Sequence, residues 1–283
     1  MELKLNLDRI TISGDIIGVG TSFKELSNAL RGTKWRAEND KTFRLARVDE
    51  NGEYVNVAGL FKNNHQTSWR LDTSYHVNDD EIQSLLDIVK LMTNPHFTRI
   101  DVCIDIINSK YPNMAHRIYK FGVSERKFSE YFGKNKELQT LYIGSSSSQQ
   151  QVRYYDKLVE RRYRRIPVDP KIKQWERLEL QLRGTSTEEW KQRYKEVLKC
   201  FKISNLKAIK NVWHRSMLYS LENNVTKWSE ISKSVRAELR KEIKDSNGYD
   251  DTLSKKMISY FDENIHLIDN ELRKFSDLMK IKM

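Results

Sequence analysis

Residues 98–107, TRIDVCIDII, alternate between apolar and polar side chains. Neighbouring side chains on a strand point to opposite faces, so Ile100, Val102, Ile104 and Ile106 share one face while Arg99, Asp101, Cys103 and Asp105 share the other. The first face demands a core. On the second, two carboxylates two residues apart repel each other unless a cation or an acid–base role uses them, and oxygen ligands at that spacing suit Mg²⁺ or Mn²⁺. WERLELQLRG, residues 175–184, divides the same way, with Glu176, Leu178, Leu180 and Leu182 against Trp175, Arg177, Glu179 and Gln181. In QVRYYDK, residues 151–157, Val152 and Tyr154 oppose Arg153, Tyr155 and Lys157. Three such strands restrict the chain to a sheet with one apolar and one ionisable side.

If the three strands are neighbours, Asp101, Asp105 and Glu179 surround a metal, with Tyr155 beside it and Arg153 and Lys157 at a phosphate. That set suits tyrosine-mediated strand cleavage: a metal polarises the scissile phosphate, the phenol attacks, and cations offset the developing charge. An exposed phenol titrates near ~10, so a metal or base has to help remove its proton. The plainer alternative is an amphipathic sheet with its polar side in water.

The first 75 residues carry further alternating stretches, LDRITISGDI, KTFRLARV, EYVNVAGLF and SWRLDTS, separated by Gly, Asn and Asp turn signals. VNDDEIQSLLDIVKLM then reads as a capped helix, a helix-like stretch lies near 113–121, ELQTLYIGS reads as a strand, and Thr185 or Thr187 caps a helix over EEWKQRYKEVLKCF. LDRITISGDI resembles FTRIDVCIDI, and SWRLDTSYHVNDDEIQSLLDIV resembles the stretch from Trp175 in order and helix entry. Either a sheet-plus-helix unit is duplicated, as repeats 1–93 and 98–200 with an insertion near 158–170, or amphipathic strands match by chance. From about residue 201 the periodicity is helical: Ile203, Leu206, Ile209, Trp213, Met217 and Leu221 form one stripe, Trp228 to Ile243 a second, and Leu253 to Phe275 a third. The expected class is therefore α+β, with antiparallel-rich sheets and packed helices over 1–200 followed by a helical region over 201–283.

Fifty Lys+Arg against 39 Asp+Glu give a formal charge of +11 over 283 residues, which favours a polyanionic partner such as nucleic acid. Residues 191–283 hold 20 Lys+Arg and 13 Asp+Glu, so the helical region is the more basic and suits duplex binding or, equally, a solvated lysine-rich face. In ERRYRRIPVDP, Arg161, Arg162, Arg164 and Arg165 surround Tyr163, a pattern fit for single-strand contact or for an exposed tip. The run GSSSS, residues 144–148, reads as a turn or as a set of phosphate-binding amides and hydroxyls. Cys103 and Cys200 form no CxxC, the six histidines no H-x-H pair, and no Walker loop is present, so zinc clusters, the His-hydrophobic-His metal site of other strand-nicking enzymes and a built-in ATPase are all unsupported. No run reaches the roughly 18 apolar residues of a spanning helix, and a cytoplasmic protein is expected.

TLYIGSSSSQQQVRYYDKLVE resembles the Y-x-G-S...S...R-x-Y-(N/D)-K-x-x-E signature of the Rep_trans group, the replication initiators of staphylococcal-type rolling-circle plasmids and the related relaxases of integrative conjugative elements. TRIDVCIDI and WERLELQLRG stand in the order of that family's acidic strand and R-x-E-x strand. The resemblance covers residues 98–200 well, the first 97 loosely and the helical tail hardly at all. It implies a metal-dependent, sequence-specific DNA nicking and joining enzyme in which Tyr155 becomes linked to the 5′ phosphate. Asp101, Asp105 and Glu179 would hold Mg²⁺ or Mn²⁺, and Arg153, Lys157 and Arg177 would serve the phosphate. It further implies a homodimer that melts a hairpin origin in DNA and recruits a host helicase. Asp156 stands where Asn is usual, and Tyr154 where an aliphatic residue is common, which makes Tyr154 the alternative nucleophile. A conjugative relaxase would share the chemistry; a non-enzymatic nucleic-acid-binding protein would bind through its basic tail and not need Tyr155.

Overall fold

The computed structural model describes residues 1–16, 23–48, 52, 54–63, 67–73, 77–110, 117–118, 128–134, 136–223 and 225–280. Thirteen strands occur among them: β1 (Glu2–Ile16), β2 (Trp35–Asn39), β3 (Thr42–Val48), β4 (Tyr54–Lys62), β5 (Ser68–Thr73), β6 (Met92–Ile107), β7 (Arg117–Ile118), β8 (Phe128–Phe132), β9 (Leu138–Ile143), β10 (Gln150–Asp156), β11 (Trp175–Arg183), β12 (Lys202–Ser204) and β13 (Tyr249–Asp250). The helices are α1 (Phe23–Ala29), α2 (Asp79–Leu91), α3 (Lys157–Tyr163), α4 (Trp190–Cys200), α5 (Val212–Glu222), α6 (Lys233–Asp245) and α7 (Thr252–Lys280). The fold is α+β.

Ten strands form one antiparallel sheet in the order β2-β3-β4-β5-β1-β6-β11-β10-β9-β8. Its two halves have one connectivity: outward from the centre run β1, β5, β4, β3, β2 on one side and β6, β11, β10, β9, β8 on the other. The long central strands pair with each other, and α2 and α4 follow the last strand of each half. The β10–β11 connection carries α3, for which the short β4–β5 connection has no counterpart.

Alternation sets which side each residue takes. Ile100, Val102, Ile104, Leu178, Leu180, Leu182, Val152 and Tyr154 lie in one apolar core with Leu5, Ile10 and Ile12 of β1. Helices α2, α4 and α7 close that side. Met257, Phe261, Ile268, Leu272 and Phe275 of α7 are buried there, so this helix joins the sheet's core rather than standing apart from it. A second, smaller core holds Ile209, Leu218, Leu221, Ile231, Leu239 and Ile243, from α5, α6 and the segments beside them.

Several local expectations change. Helix α4 starts at Trp190 after Glu189, because residues 184–187 form a 3-10 turn in which Thr187 Oγ1 donates to Gly184 O at 2.8 Å instead of capping α4. The stripe from Ile203 to Leu221 is not one helix: β12 and a 3-10 turn precede α5, whose N-cap is Asn211, and Trp213 is 83 % exposed. Strands β2 and β8 were not legible as alternation. The helix-like stretch at 113–121 falls outside the described residues except for 117–118, which form β7 and pair with β12. Among the described residues no helix is long and apolar enough to cross a membrane.

Candidate functional site

The three strands that carry ionisable faces are adjacent. Asp101 of β6 opposes Gln181 of β11, Cys103 opposes Glu179, and Asp105 opposes Arg177; across the next ladder Arg153 of β10 opposes Glu179 and Tyr155 opposes Arg177. Directly opposed residues share a face. All of these side chains therefore meet on the side of the sheet away from the apolar core.

The carboxylates that converge there are Asp8, Asp101 and Glu179, each with a ligand atom within 4.8 Å of the others. Asp8 arrives through a break in the β1–β6 register between Leu7 and Arg9. Such a bulge inserts one residue, and here it puts Asp8 and Arg9 consecutively on the polar side before Ile10 returns to the core. Asp105 stays on the same face but is not in the cluster: Arg177 donates to its two oxygens at 2.6 and 2.8 Å, and Asn6 Nδ2 lies 3.3 Å away. Arg177 also bonds Asp8, so one fully buried guanidinium orients two carboxylates. Burial would lower its affinity for a proton, but the anions around it raise it.

Asp101 accepts from Arg99 Nε at 2.8 Å and from Gln181 Nε2 at 3.2 Å. Glu179 is only 4 % exposed, and its Oε2 has no hydrogen-bond partner; the guanidinium of Arg153 stands 3.7 Å off. Burial, reinforced by the charges of Asp8 and Asp101, pushes its carboxyl up to about 8. A buried carboxylate oxygen without a donor, facing two further carboxylates, is the arrangement a hard divalent cation satisfies.

Tyr155 is 3 % exposed. The Arg153 guanidinium lies 3.9 Å from its ring centroid, and Lys157 Nζ donates to its hydroxyl at 3.4 Å. Burial, with Glu179 and Glu160 nearby, holds the phenol protonated well above its ordinary range, against the opposing pull of Arg177 and Arg153. Lys157, at the start of α3, is paired with Glu160, and burial followed by Arg177 lowers its pKa. Tyr154 projects into the opposite, apolar side, where its hydroxyl donates to Glu176 at 3.1 Å and its ring meets Phe201 edge-on. Of the arginines in and just after α3, Arg161 stacks over Trp175 at 5.2 Å, Arg164 pairs with Glu160 at 3.1 Å, and Arg162 and Arg165 are exposed.

An open cavity of about 540 Å³ lies over the cluster, lined by Asp8, Asp101, Glu179, Arg153, Tyr142 and Ser145 among others. The serine run is the tight β9–β10 turn at its rim. Gly144 has a φ of 94°, and a Cβ there would stand 2.8 Å from Gln150 O, which explains the glycine.

Residues 95–234 match the Rep_trans family model, described as a replication initiation factor. The match spans 140 of the 283 residues. Within the matched segment lie Tyr155, Arg153, Asp101 and Glu179; Asp8 lies outside it. That position is why a motif centred on residues 98–200 missed Asp8, although two consecutive polar residues, Asp8-Arg9, interrupting an alternating run are a legible bulge signal. The chain is also similar to a rolling-circle replication initiator protein from Geobacillus stearothermophilus, at 14% identity and a TM-score of 0.41 over 71% of this chain and 86% of that one. No curated protein matched the sequence.

Proposed function

We propose that this chain initiates rolling-circle replication by nicking and rejoining DNA through Tyr155, with Asp8, Asp101 and Glu179 holding Mg²⁺ or Mn²⁺. The observation that carries the reading is the three-carboxylate cluster with a buried, unpartnered Glu179 oxygen, on the same face of the sheet as Tyr155 and one strand from it at Glu179. A divalent cation bound there supplies charge to a phosphate oxygen and orients the phosphodiester.

The chain's own groups account for the rest. Arg153 leaves the Tyr155 ring for the phosphate, exposing the phenol and countering the charge that builds up on the pentacoordinate phosphorus. The phenol proton passes to solvent once the phenol is exposed, and Lys157 Nζ, which donates to the hydroxyl at 3.4 Å, stabilises the phenolate. A bond forms from Tyr155 Oη to phosphorus while the bond from phosphorus to the 3′ oxygen breaks, and the departing oxygen takes a proton from solvent. The phosphotyrosine diester keeps the bond energy for rejoining, with no oxidant or nucleotide consumed. Asp105 and Arg177 act by positioning Asp8. DNA is the partner the family implies; a homodimer, a host helicase and a cytoplasmic setting belong to the same reading, as does use of this chemistry in conjugative transfer.

The test mixes wild-type protein, Tyr155→Phe and Tyr154→Phe with supercoiled plasmid carrying its own origin and Mn²⁺, then looks for a covalent protein–DNA band on a denaturing gel. An adduct lost only with Tyr155→Phe is expected. Loss only with Tyr154→Phe would move the chemistry to the other face, and DNA binding without any adduct would leave a non-enzymatic binding protein.

A further inference from the structure

The polar side of the sheet continues past the carboxylates into the half that lacks the tyrosine. One cross-strand row there runs Arg36, Arg44, Gly59, Asp72, Thr11, Arg99, from the outer strand β2 to β6 beside Asp101. At neighbouring-strand spacings of about 4.8 Å, this row crosses five gaps and extends about 24 Å. Its centre is a glycine for a physical reason: a Cβ at Gly59 would meet the Phe61 ring at 2.6 Å and Arg44 Nη1 at 2.9 Å. Phe61 therefore lies folded over Gly59, flanked by the guanidiniums of Arg44 at 4.9 Å and Arg70 at 5.0 Å. The Arg44 and Arg70 side chains are 36 % and 45 % exposed, and Phe61 is partly exposed. Glu38 pairs with Arg44, and Asp72 is shared between Arg70 and Arg9, so these three arginines face two acids and the patch keeps one cation in excess.

We propose that this face of the N-terminal half binds single-stranded DNA next to the carboxylate cluster, with Phe61 as the stacking platform for a base and Arg44 and Arg70 as phosphate contacts. The inference rests on the nucleic-acid reading above. A base that displaces one of the two guanidiniums stacks on the Phe61 ring while that arginine turns to the phosphate, and only an unpaired base presents its own face to such a ring. A duplex has no free base faces. The cluster lies between Tyr155 on β10 and Phe61 on β4, so a strand crossing the sheet passes from the nucleophile over the carboxylates to the platform.

The experiment measures fluorescence anisotropy of a labelled mixed-sequence 20-nucleotide single strand, and of its duplex, against full-length protein. Phe61→Leu, and Gly59→Ala, which pushes the ring aside, are expected to weaken single-strand binding about tenfold while Phe61→Tyr keeps it. Arg44→Gln is expected to weaken it and reduce the slope of log affinity against log salt by about 0.7. Because an aromatic lying on a strand glycine also steadies a sheet, thermal melting accompanies each variant; if Phe61→Leu does not fold, Arg44→Gln and Arg70→Gln, at exposed positions, decide the question. Wild-type single-strand affinity in all folded variants, or an equal loss for the duplex, overturns the proposal. The two readings fail separately: no Tyr155 adduct with Phe61-dependent binding sinks the nicking chemistry alone, and an adduct with variant-independent binding sinks the platform alone.

Discussion

Four acids on one face have different electrostatic fates. Asp105 is neutralised by a buried guanidinium, Asp101 is shared with Arg99, Asp8 sits at a bulge, and Glu179 keeps a buried oxygen without a hydrogen bond. Glu179's folded carboxyl titrates at about 8 against an ordinary 4.5, so between those values the folded state holds more protons than the unfolded one. Metal-free protein should therefore lose stability as pH rises from about 4.5 to 8, and Glu179→Gln should flatten that slope in a urea titration; an unchanged slope in the variant would remove Glu179 as its source. The ligand set is separable in the same way. Asp8→Asn is expected to abolish the rise in melting temperature caused by Mn²⁺ and to cost the metal-free protein less than loss of Asp105 does, because Asp8 takes one bond from Arg177 and is partly exposed while Asp105 takes two. Asp105→Asn should instead cost about 3–5 kcal/mol, because it strips a partner from a fully buried Arg177; a lost Mn²⁺ response without that cost would restore Asp105 to the metal set.

At the scale of elements, the site depends on how strands are joined. The β9–β10 turn fixes Tyr142 and Arg153 opposite each other, at the cavity wall. Gly144→Ala forces a positive φ on a side chain that also collides with Gln150 O, and should destabilise the protein by 1 kcal/mol or more while lowering activity. Urea midpoints and adduct yield measure both, and a neutral result would show that the turn relaxes freely. Helix α3 begins at Asp156, whose Oδ1 accepts from Val159 N at 2.9 Å, so the residue at the usual Asn position acts as an N-cap that sets Lys157 beside Tyr155. Strands β6, β10 and β11 were legible because each alternates with a period of two. Helix α4's start was not, since a 3-10 turn and a helix cap draw on the same small polar residues.

For the whole molecule, α7 decides what counts as one folding unit. Leu253, Met257, Phe261, Ile268, Leu272 and Phe275 are all within the sheet's core. At about 1.5–3 kcal/mol per buried side chain, removing them forfeits about 9–18 kcal/mol, as much as the entire net stability of an ordinary domain. A chain ending at residue 251 should fail to fold, as read by circular dichroism and urea unfolding; a cooperative transition near the full-length midpoint would show that the helix is dispensable. The equal connectivity of the two half-sheets brings β1 beside β6, and so completes the carboxylate cluster with a residue from the half that lacks Tyr155.

The faces were legible residue by residue: strand period placed Tyr155, Arg153, Asp101 and Glu179 on one side and Tyr154 on the other, because alternation is a local property of the chain. Which acids meet depends on contacts between distant strands. Asp8 is 93 residues from Asp101, and its position rests on a register break against β6 that no single strand contains, while Asp105 is withdrawn by a guanidinium whose neighbours come from three strands.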